Sequence, residues 1–453
     1  MQRRARALMT DLYELTMAAG YFENHIHPVA SFEVFVRDIP RNRNYLLAAG
    51  LAQVLDYLTE LRFSDDEIEF LRRQPVFRHV SDGFFEYLKG FRFTGDIWAM
   101  PEGTPFFSNE PILRVTAPLI EAQILETYIL SAINFQTTIA SKAARIVEAA
   151  QGRPVIEFGA RRAHTMDAAL YGARAAYIGG CAGTSNVEAG CLFGIPIFGT
   201  MAHSWMMVFP SEMEAFQAYY RVFPESTTLL VDTYDTLAGA RHATRLGPVI
   251  RAVRLDSGDI VQLSQQVRQI LNDAGMHQTR IMVSSELDEY RITELLAAGA
   301  PIDLFGVGTH LSVSYDAPTL GGVYKLVEMN LDGRVHYRMK LSADKTTLPG
   351  RKQVWRTVDD AGQFLYDTIG LMDEPAPAGA FPLLRQYMTA GRLNQPYPTL
   401  SEIQQTARDN RLRLPAACRA IGEAEPYPVK ISQALRTLSQ HLASSLTSTY
   451  NEP

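Results

Sequence analysis

Apolar positions change their rhythm near Ser141. Beyond that point short apolar runs alternate with helical stretches. The runs Val155–Phe158, Ile195–Phe198, Thr228–Asp232, Val249–Leu255, Arg280–Ser284 and Asp303–Gly306 are short enough to predict buried strands. Between them, Ala143, Ile146, Val147 and Ala150 follow the i, i+3, i+4, i+7 spacing of an amphipathic helix. Leu263, Val267, Ile270 and Leu271 form a second helical face that stops at Gly275, and Leu295, Leu296 and Ala298 precede Gly299 in the same way. Ser211 followed by Glu214 reads as a capping box opening a helix to about Val222. Buried strands alternating with helices predict parallel βα units, in either a barrel or a doubly wound sheet. No G-x-G-x-x-G follows the first of these strands, which weakens the dinucleotide-binding version.

The flanking parts read differently. Residues 1–140 carry a capping box at Ser64 and Glu67, strands at Ala30–Arg37 and Gly95–Met100, and a Pro- and Gly-rich stretch from Pro101 to Pro111. That is the signature of antiparallel sheet with tight turns. After Gly321-Gly322, Val323–Met329, Arg334–Lys340 and Gln353–Val358 predict more antiparallel strands, and Ile431–Leu446 a polar helix. The expected organisation is a mixed α+β domain over 1–140, an α/β barrel over 141–321, and a 322–453 segment packing on the first domain.

Composition narrows the chemistry. The chain has 453 residues, with 43 Lys and Arg against 49 Asp and Glu. A net charge of −6 argues against a bulk nucleic-acid binder, and no apolar run reaches the ~20 residues of a membrane helix. Cys181, Cys191 and Cys418 include no C-x-x-C pair, so neither a disulfide framework nor a structural zinc is expected. The Arg-rich start lacks the apolar stretch of a signal peptide, and a reducing, cytoplasmic setting is expected. No G-x-x-x-x-G-K-[ST] phosphate loop and no G-x-S-x-G elbow occurs.

In a parallel barrel the chemistry sits where strands end. Those ends carry Gly159-Ala160-Arg161-Arg162, Gly199-Thr200-Met201-Ala202-His203-Ser204, Arg254 followed by Asp256-Ser257-Gly258-Asp259, Ser284-Ser285-Glu286, and Gly306-Val307-Gly308-Thr309. Cations, a histidine, carboxylates and small residues with free backbone donors suit an anionic, phosphorylated ligand.

These residues fall within a familiar pattern. Thr10–Met17 (TDLYELTM), Glu157–Arg162 (EFGARR), Gly183–Asn186 (GTSN), Gly199–Trp205 (GTMAHSW), Val253–Asp259 (VRLDSGD) and Phe305–Leu311 (FGVGTHL) resemble the nicotinate phosphoribosyltransferase family, in the family's order. The resemblance implies an irregular, incomplete α/β barrel beside an N-terminal sandwich-like α+β domain completed by C-terminal segments. It implies a homodimer with active sites shared between subunits, and no nucleic-acid or membrane partner. The implied reaction is an ATP-coupled, Mg²⁺-requiring ligase reaction of NAD salvage. Nicotinate and 5-phosphoribosyl 1-diphosphate become nicotinate mononucleotide and diphosphate.

By position, the resemblance makes His203 the histidine that ATP phosphorylates and places Tyr13, from the partner subunit, and Phe158 on the two faces of the pyridine. Arg161 lines the base and phosphate pocket, and Thr200 and Arg254 contact nicotinate. Asp256 faces ribose and Mg²⁺, within an acidic motif whose Ser257, Gly258 and Asp259 join Arg161 in holding the phosphoribosyl diphosphate. Gly306, Gly308 and Thr309 belong to the 5-phosphate loop. Two rivals stay open: a nicotinamide-using relative, and a non-catalytic barrel that binds phosphorylated metabolites. A quinolinate-using relative is weaker, because it lacks the ATP-linked histidine. The stretch Gly183-Thr184-Ser185-Asn186 carries no acid to repel a carboxylate, which favours the acid substrate.

Overall fold

The structure is a computed structural model that describes residues 7–342 and 345–451. It consists of two compact units, one built from residues 1–137 and 319–453, the other from 138–318.

The second unit carries a six-stranded, all-parallel sheet. Its strands are β1 (Val155–Glu157), β2 (Gly183–Thr184), β3 (Thr228–Leu230), β4 (Ala252–Leu255), β5 (Arg280–Val283) and β6 (Leu304–Val307). Their order in space is β2-β1-β6-β5-β4-β3. The last strand returns to pair with the first, Phe305 opposite Val155 and Val307 opposite Glu157, so the sheet runs round in sequence order like a barrel. Val155, Ile156, Val253, Leu255, Ile281, Val283, Phe305 and Val307 are buried, as strands covered on both faces must be. The ring does not close. Its seam lies between β3 and the segment after β2, where the Thr200 hydroxyl donates to the Thr228 carbonyl at 2.6 Å.

At that seam the expected strand Ile195–Phe198 is reduced to one bridge, Thr184 to Ile197. Pro196 has no N–H to give a ladder, and Ile197 and Phe198 are exposed. Gly183–Thr184 forms the strand instead. Glycine has no strand-forming side chain, so the pattern of apolar residues does not show it. Ser211 does cap its helix, Glu212–Val222, but only half a capping box forms, because Glu214 meets the Ser211 hydroxyl and not its N–H. A buried ionic cluster ties two helices of this unit. Lys142 Nζ lies 2.6 Å from Glu289 Oε2 and 2.8 Å from Asp316 Oδ1, and Arg145 Nε 2.9 Å from Glu289 Oε1. Removing one member of such a cluster typically costs about 3–5 kcal/mol, because a buried charge is left alone.

The first unit is built on a seven-stranded antiparallel sheet. Its order is Arg334–Tyr337, Gly322–Leu331, Val29–Val36, Leu113–Pro118, Asp96–Ala99, Arg385–Thr389, Arg392–Leu393. Strands from both ends of the chain thus share one sheet. A second sheet of four strands holds Lys352–Val358 and Phe364–Leu371 at its centre. Ser64 and Glu67 form the full reciprocal cap that the sequence predicts, and the C-terminal helix spans Gln433–Asn451. No helix among the described residues is long and apolar enough to cross a membrane.

Charges are buried in this unit too. Lys352 Nζ lies 2.7 Å from Glu33 Oε2. Arg356 grips Asp367 with Nε at 2.9 Å and Nη2 at 2.5 Å, and Tyr427 donates to the same carboxylate at 3.2 Å. Glu110, fully buried beside Asp367, accepts the Phe107 N–H at 2.9 Å. Burial, and then the charge of Asp367, push its carboxyl well above the usual range, with Arg356 opposing. The folded state therefore holds a proton that the unfolded chain releases near pH 4.3. Stability from this group is complete below about pH 4.3 and is lost as pH rises toward the raised value. Glu110→Gln keeps the shape without the titration. Its melting temperature relative to the unmodified chain should rise from pH 5 to pH 8; a pH-independent difference in thermal melts would refute this.

Candidate active site

The C-terminal ends of β1, β4, β5 and β6 enclose a cavity of about 200 Å³. Phe158, Arg161, Arg254 and Asp256 line it, and so do Gly306, Gly308 and Thr309. Residues 150 positions apart meet here because parallel strands put all their C-terminal ends on one rim.

The β1 end is organised by Glu157. Its buried carboxylate accepts the Thr184 hydroxyl at 2.6 Å and the Gly159 N–H, so one side chain holds the loops after β1 and β2. Burial raises its pKa, and those two donors oppose the rise. The next residue, Phe158, is anchored by its N–H to the Val307 carbonyl at 2.8 Å. Its ring lies where a side chain on Gly306 would be: a Cβ there would meet the ring at 2.7 Å and Met282 Cε at 2.9 Å. Arg161 and Arg162 follow in one exposed 3-10 turn and have no ion-pair partner among the described residues.

The β4 end carries the tightest cluster. Arg254 donates from Nε to Ser284 Oγ at 2.5 Å, from Nη2 to Asp256 Oδ1 at 2.7 Å, and from Nη1 to the Met201 carbonyl at 3.3 Å. Its guanidinium lies 5.9 Å from the centre of the Phe158 ring. Ser284 in turn donates to Asp256 Oδ1 at 2.6 Å. Burial opposes ionisation of Asp256, but the Ser284 hydroxyl, Arg254 and His203 together outweigh it and hold the carboxyl below its usual range.

The other expected residues are placed around this cluster. His203 opens the helix His203–Val208. Its Nδ1 lies 3.2 Å from Thr233 Oγ1 and its Nε2 3.8 Å from Asp256 Oδ2. Thr200 clasps the seam, its hydroxyl proton committed to Thr228. Ser257 donates to Asp232 at 2.9 Å, Gly258 turns the chain at φ +87°, and Asp259 caps the helix Ile260–Asp273 through the Gln262 N–H. Tyr13 belongs to the other unit. It sits exposed on the helix Leu12–Glu23, where partial burial and then Glu126 raise its phenol pKa.

Three organising residues were given no role of their own by the sequence: Asp232, Ser284 and Glu157. Asp232 accepts the Asp256 N–H at 2.8 Å as well as the Ser257 hydroxyl. Ser284 was among the strand-end residues already read, and the same attention to the end of the Thr228–Asp232 run would have reached Asp232. Glu157 has no such signal, because a lone acid inside an apolar run does not declare its partners. Beyond the rim, His310 meets Asp288 at 3.1 Å and stacks on Tyr315 at 4.7 Å.

The rim can also be tested for Mg²⁺. The described residues hold no group of three or more His, Cys, Asp and Glu ligands, but Mg²⁺ commonly takes one or two carboxylates beside water and substrate phosphates. Asp256 Oδ1 is already occupied by Arg254 and Ser284. Asp232 Oδ1 is buried with no hydrogen bond among the described residues, which leaves it and Asp256 Oδ2 as the oxygens of these two carboxylates not taken up by a hydrogen bond.

Gly306→Ala tests the geometry of the ring. The added methyl must displace both Phe158 and Met282, and overpacking of this kind costs about 1–3 kcal/mol. The variant should melt lower and lose ligand affinity at the rim. Unchanged melting and binding would show that the ring has room to move.

Comparison with known proteins finds relatives over most of the chain. Residues 8–134 match the nicotinate phosphoribosyltransferase N-terminal domain, 154–362 the nicotinate phosphoribosyltransferase family domain, and 376–439 the C-terminal domain of the same family. A nicotinate phosphoribosyltransferase of Mycobacterium tuberculosis is 48% identical over 443 residues, covering 96% of this chain and 93% of the relative. One from Bacillus subtilis is 40% identical over 94% of this chain and 93% of its own length. The crystal structure of human nicotinic acid phosphoribosyltransferase superposes with a TM-score of 0.85 at 30% identity, covering 96% of this chain and 99% of the human one. By sequence and by fold, this chain belongs to the nicotinate phosphoribosyltransferase family.

Proposed function

We propose that this protein transfers the 5-phosphoribosyl group from 5-phosphoribosyl 1-diphosphate to nicotinate, releasing nicotinate mononucleotide and diphosphate, the first step of NAD salvage from the free acid. The observation that carries this is the cavity itself: an aromatic face, Phe158, beside the cation Arg254 and the ionised Asp256. The pyridine ring lies against Phe158, and Arg254 meets its carboxylate. Arg161 and the backbone of Gly308 and Thr309 meet the phosphates. Asp256 faces the ribose, whose anomeric carbon gains positive charge as the bond to diphosphate breaks. The electron pair of that bond leaves with diphosphate, and the pyridine nitrogen lone pair forms the new bond, so no proton has to move. Asp256 Oδ2 and Asp232 Oδ1 would hold Mg²⁺, which supplies positive charge to the diphosphate oxygens. Asp256→Asn should lower kcat by tenfold or more with the melting temperature kept; an unchanged kcat would make Asp256 a turn residue only.

His203 serves the coupling to ATP. Its imidazole attacks the γ-phosphorus, a P–N bond forms, the bond to ADP breaks, and water later releases phosphate. The partner subunit supplies Tyr13 to the second face of the pyridine, so the working unit is a homodimer. Ser185, which follows β2 without a carboxylate, suits the acid substrate.

The deciding measurement is nicotinate mononucleotide formation, with and without ATP, against nicotinamide and quinolinate. Nicotinate should be the preferred base, with turnover raised by ATP. Radiolabel from γ-labelled ATP should enter the unmodified enzyme as an acid-labile, base-stable adduct and be absent from His203→Ala. Equal labelling of both would remove His203 from the mechanism. Turnover with nicotinamide alone would favour the rival substrate, and ligand binding without any turnover would favour a non-catalytic barrel.

A further inference from the structure

Ser284, Arg254 and Asp256 form a closed ring of hydrogen bonds at the rim. Ser284 accepts Arg254 Nε at 2.5 Å and donates to Asp256 Oδ1 at 2.6 Å, and Arg254 Nη2 reaches the same oxygen at 2.7 Å. The ring joins two strands. Val283 at the end of β5 stands opposite Leu255 of β4, and the Ser284 N–H continues that ladder to the Leu255 carbonyl at 2.9 Å. Ser284 is 6% exposed and lines the cavity.

A hydroxyl suits this place because it accepts and donates at once. A guanidinium only donates and a carboxylate only accepts, so neither can take the middle of the ring. Arg254 spends three of its five N–H groups, on Ser284, Asp256 and the Met201 carbonyl. Two remain, one on each terminal nitrogen, beside the Phe158 ring. Without the Ser284 hydroxyl, Nε loses its partner and the guanidinium is free to turn about the contact with Asp256.

We infer that Ser284 is a positioning residue: it orients Arg254 so that the two remaining N–H groups face the carboxylate of the aromatic substrate. This rests on the phosphoribosyl-transfer reading above. The Ser284 hydroxyl is taken up by Arg254 and Asp256, so it acts through Arg254.

The test measures the KM for nicotinate, the KM for 5-phosphoribosyl 1-diphosphate, kcat and thermal melting in Ser284→Ala, Ser284→Gly and Ser284→Thr. A hydrogen bond to a charged group is worth roughly a tenfold to hundredfold effect. Ala and Gly should therefore raise the nicotinate KM at least tenfold, and by more than they raise the KM for 5-phosphoribosyl 1-diphosphate, with melting nearly unchanged. Thr, which keeps the hydroxyl, should retain more kcat/KM for nicotinate than Ala. A nicotinate KM unchanged in Ala and Gly would overturn the inference, as would equal rises in both KM values that track a lower melting temperature, or Thr no better than Ala. If the unmodified enzyme makes no nicotinate mononucleotide, the functional reading fails instead, a result separate from any outcome among the variants.

Discussion

Everything at the rim depends on the parallel pairing of the first strand of the sheet with the last. Phe305 opposite Val155 and Val307 opposite Glu157 bring the loop after β6 beside the loop after β1. That pairing sets Gly306 under the Phe158 ring and lets the Val307 carbonyl hold the Phe158 N–H. The β5 and β4 registers then deliver Ser284 and Asp256 to the same depth. Polar groups can converge there because strand ends leave backbone and side chains unpaired, whereas the strand interiors below are apolar and sealed.

The seam is the counterpart of that closure. Where the ring stays open, a side-chain hydroxyl, Thr200, stands in for a backbone ladder. The opening lets the segment from Gly199 onward leave the wall and start the helix that carries His203. A closed ladder would have fixed those residues as strand, with their side chains alternating into the wall. The Thr233 hydroxyl, just past β3, then meets His203 across the seam, so β3 supports both His203 and, through Asp232, the Asp256 loop.

In both units, several buried charges lie in clusters of opposite sign. Glu289 serves Lys142 and Arg145 together. Asp367 receives Arg356 and Tyr427, with Glu110 alongside. Such clusters contribute little net stability against an apolar replacement, but they penalise every arrangement in which one partner is missing. Lys352 pairs with Glu33 across more than 300 positions of chain. It thereby makes the first unit conditional on both halves of its discontinuous sequence.

The sequence by itself determined the element types, the parallel character of the middle third and the rim on which Phe158, Arg161, Arg254, Asp256, Gly306, Gly308 and Thr309 gather. These follow from local facts: apolar runs too short for helices, caps such as Ser64, and the rule that strand ends carry chemistry. Boundaries within elements were less legible. The short edge at Ile197 failed as a strand because a proline removed its donor, and β2 was hidden in glycine. Only the tertiary structure decided which polar groups touch. It made Thr200 a seam clasp and Asp259 a helix cap, and it brought in Asp232, Ser284 and Glu157. Hydrogen-bond partnership depends on distances of a few tenths of an ångström between residues dozens to hundreds apart in sequence. Periodicity sets the face on which a side chain lies, whereas strand register and twist set what it meets there.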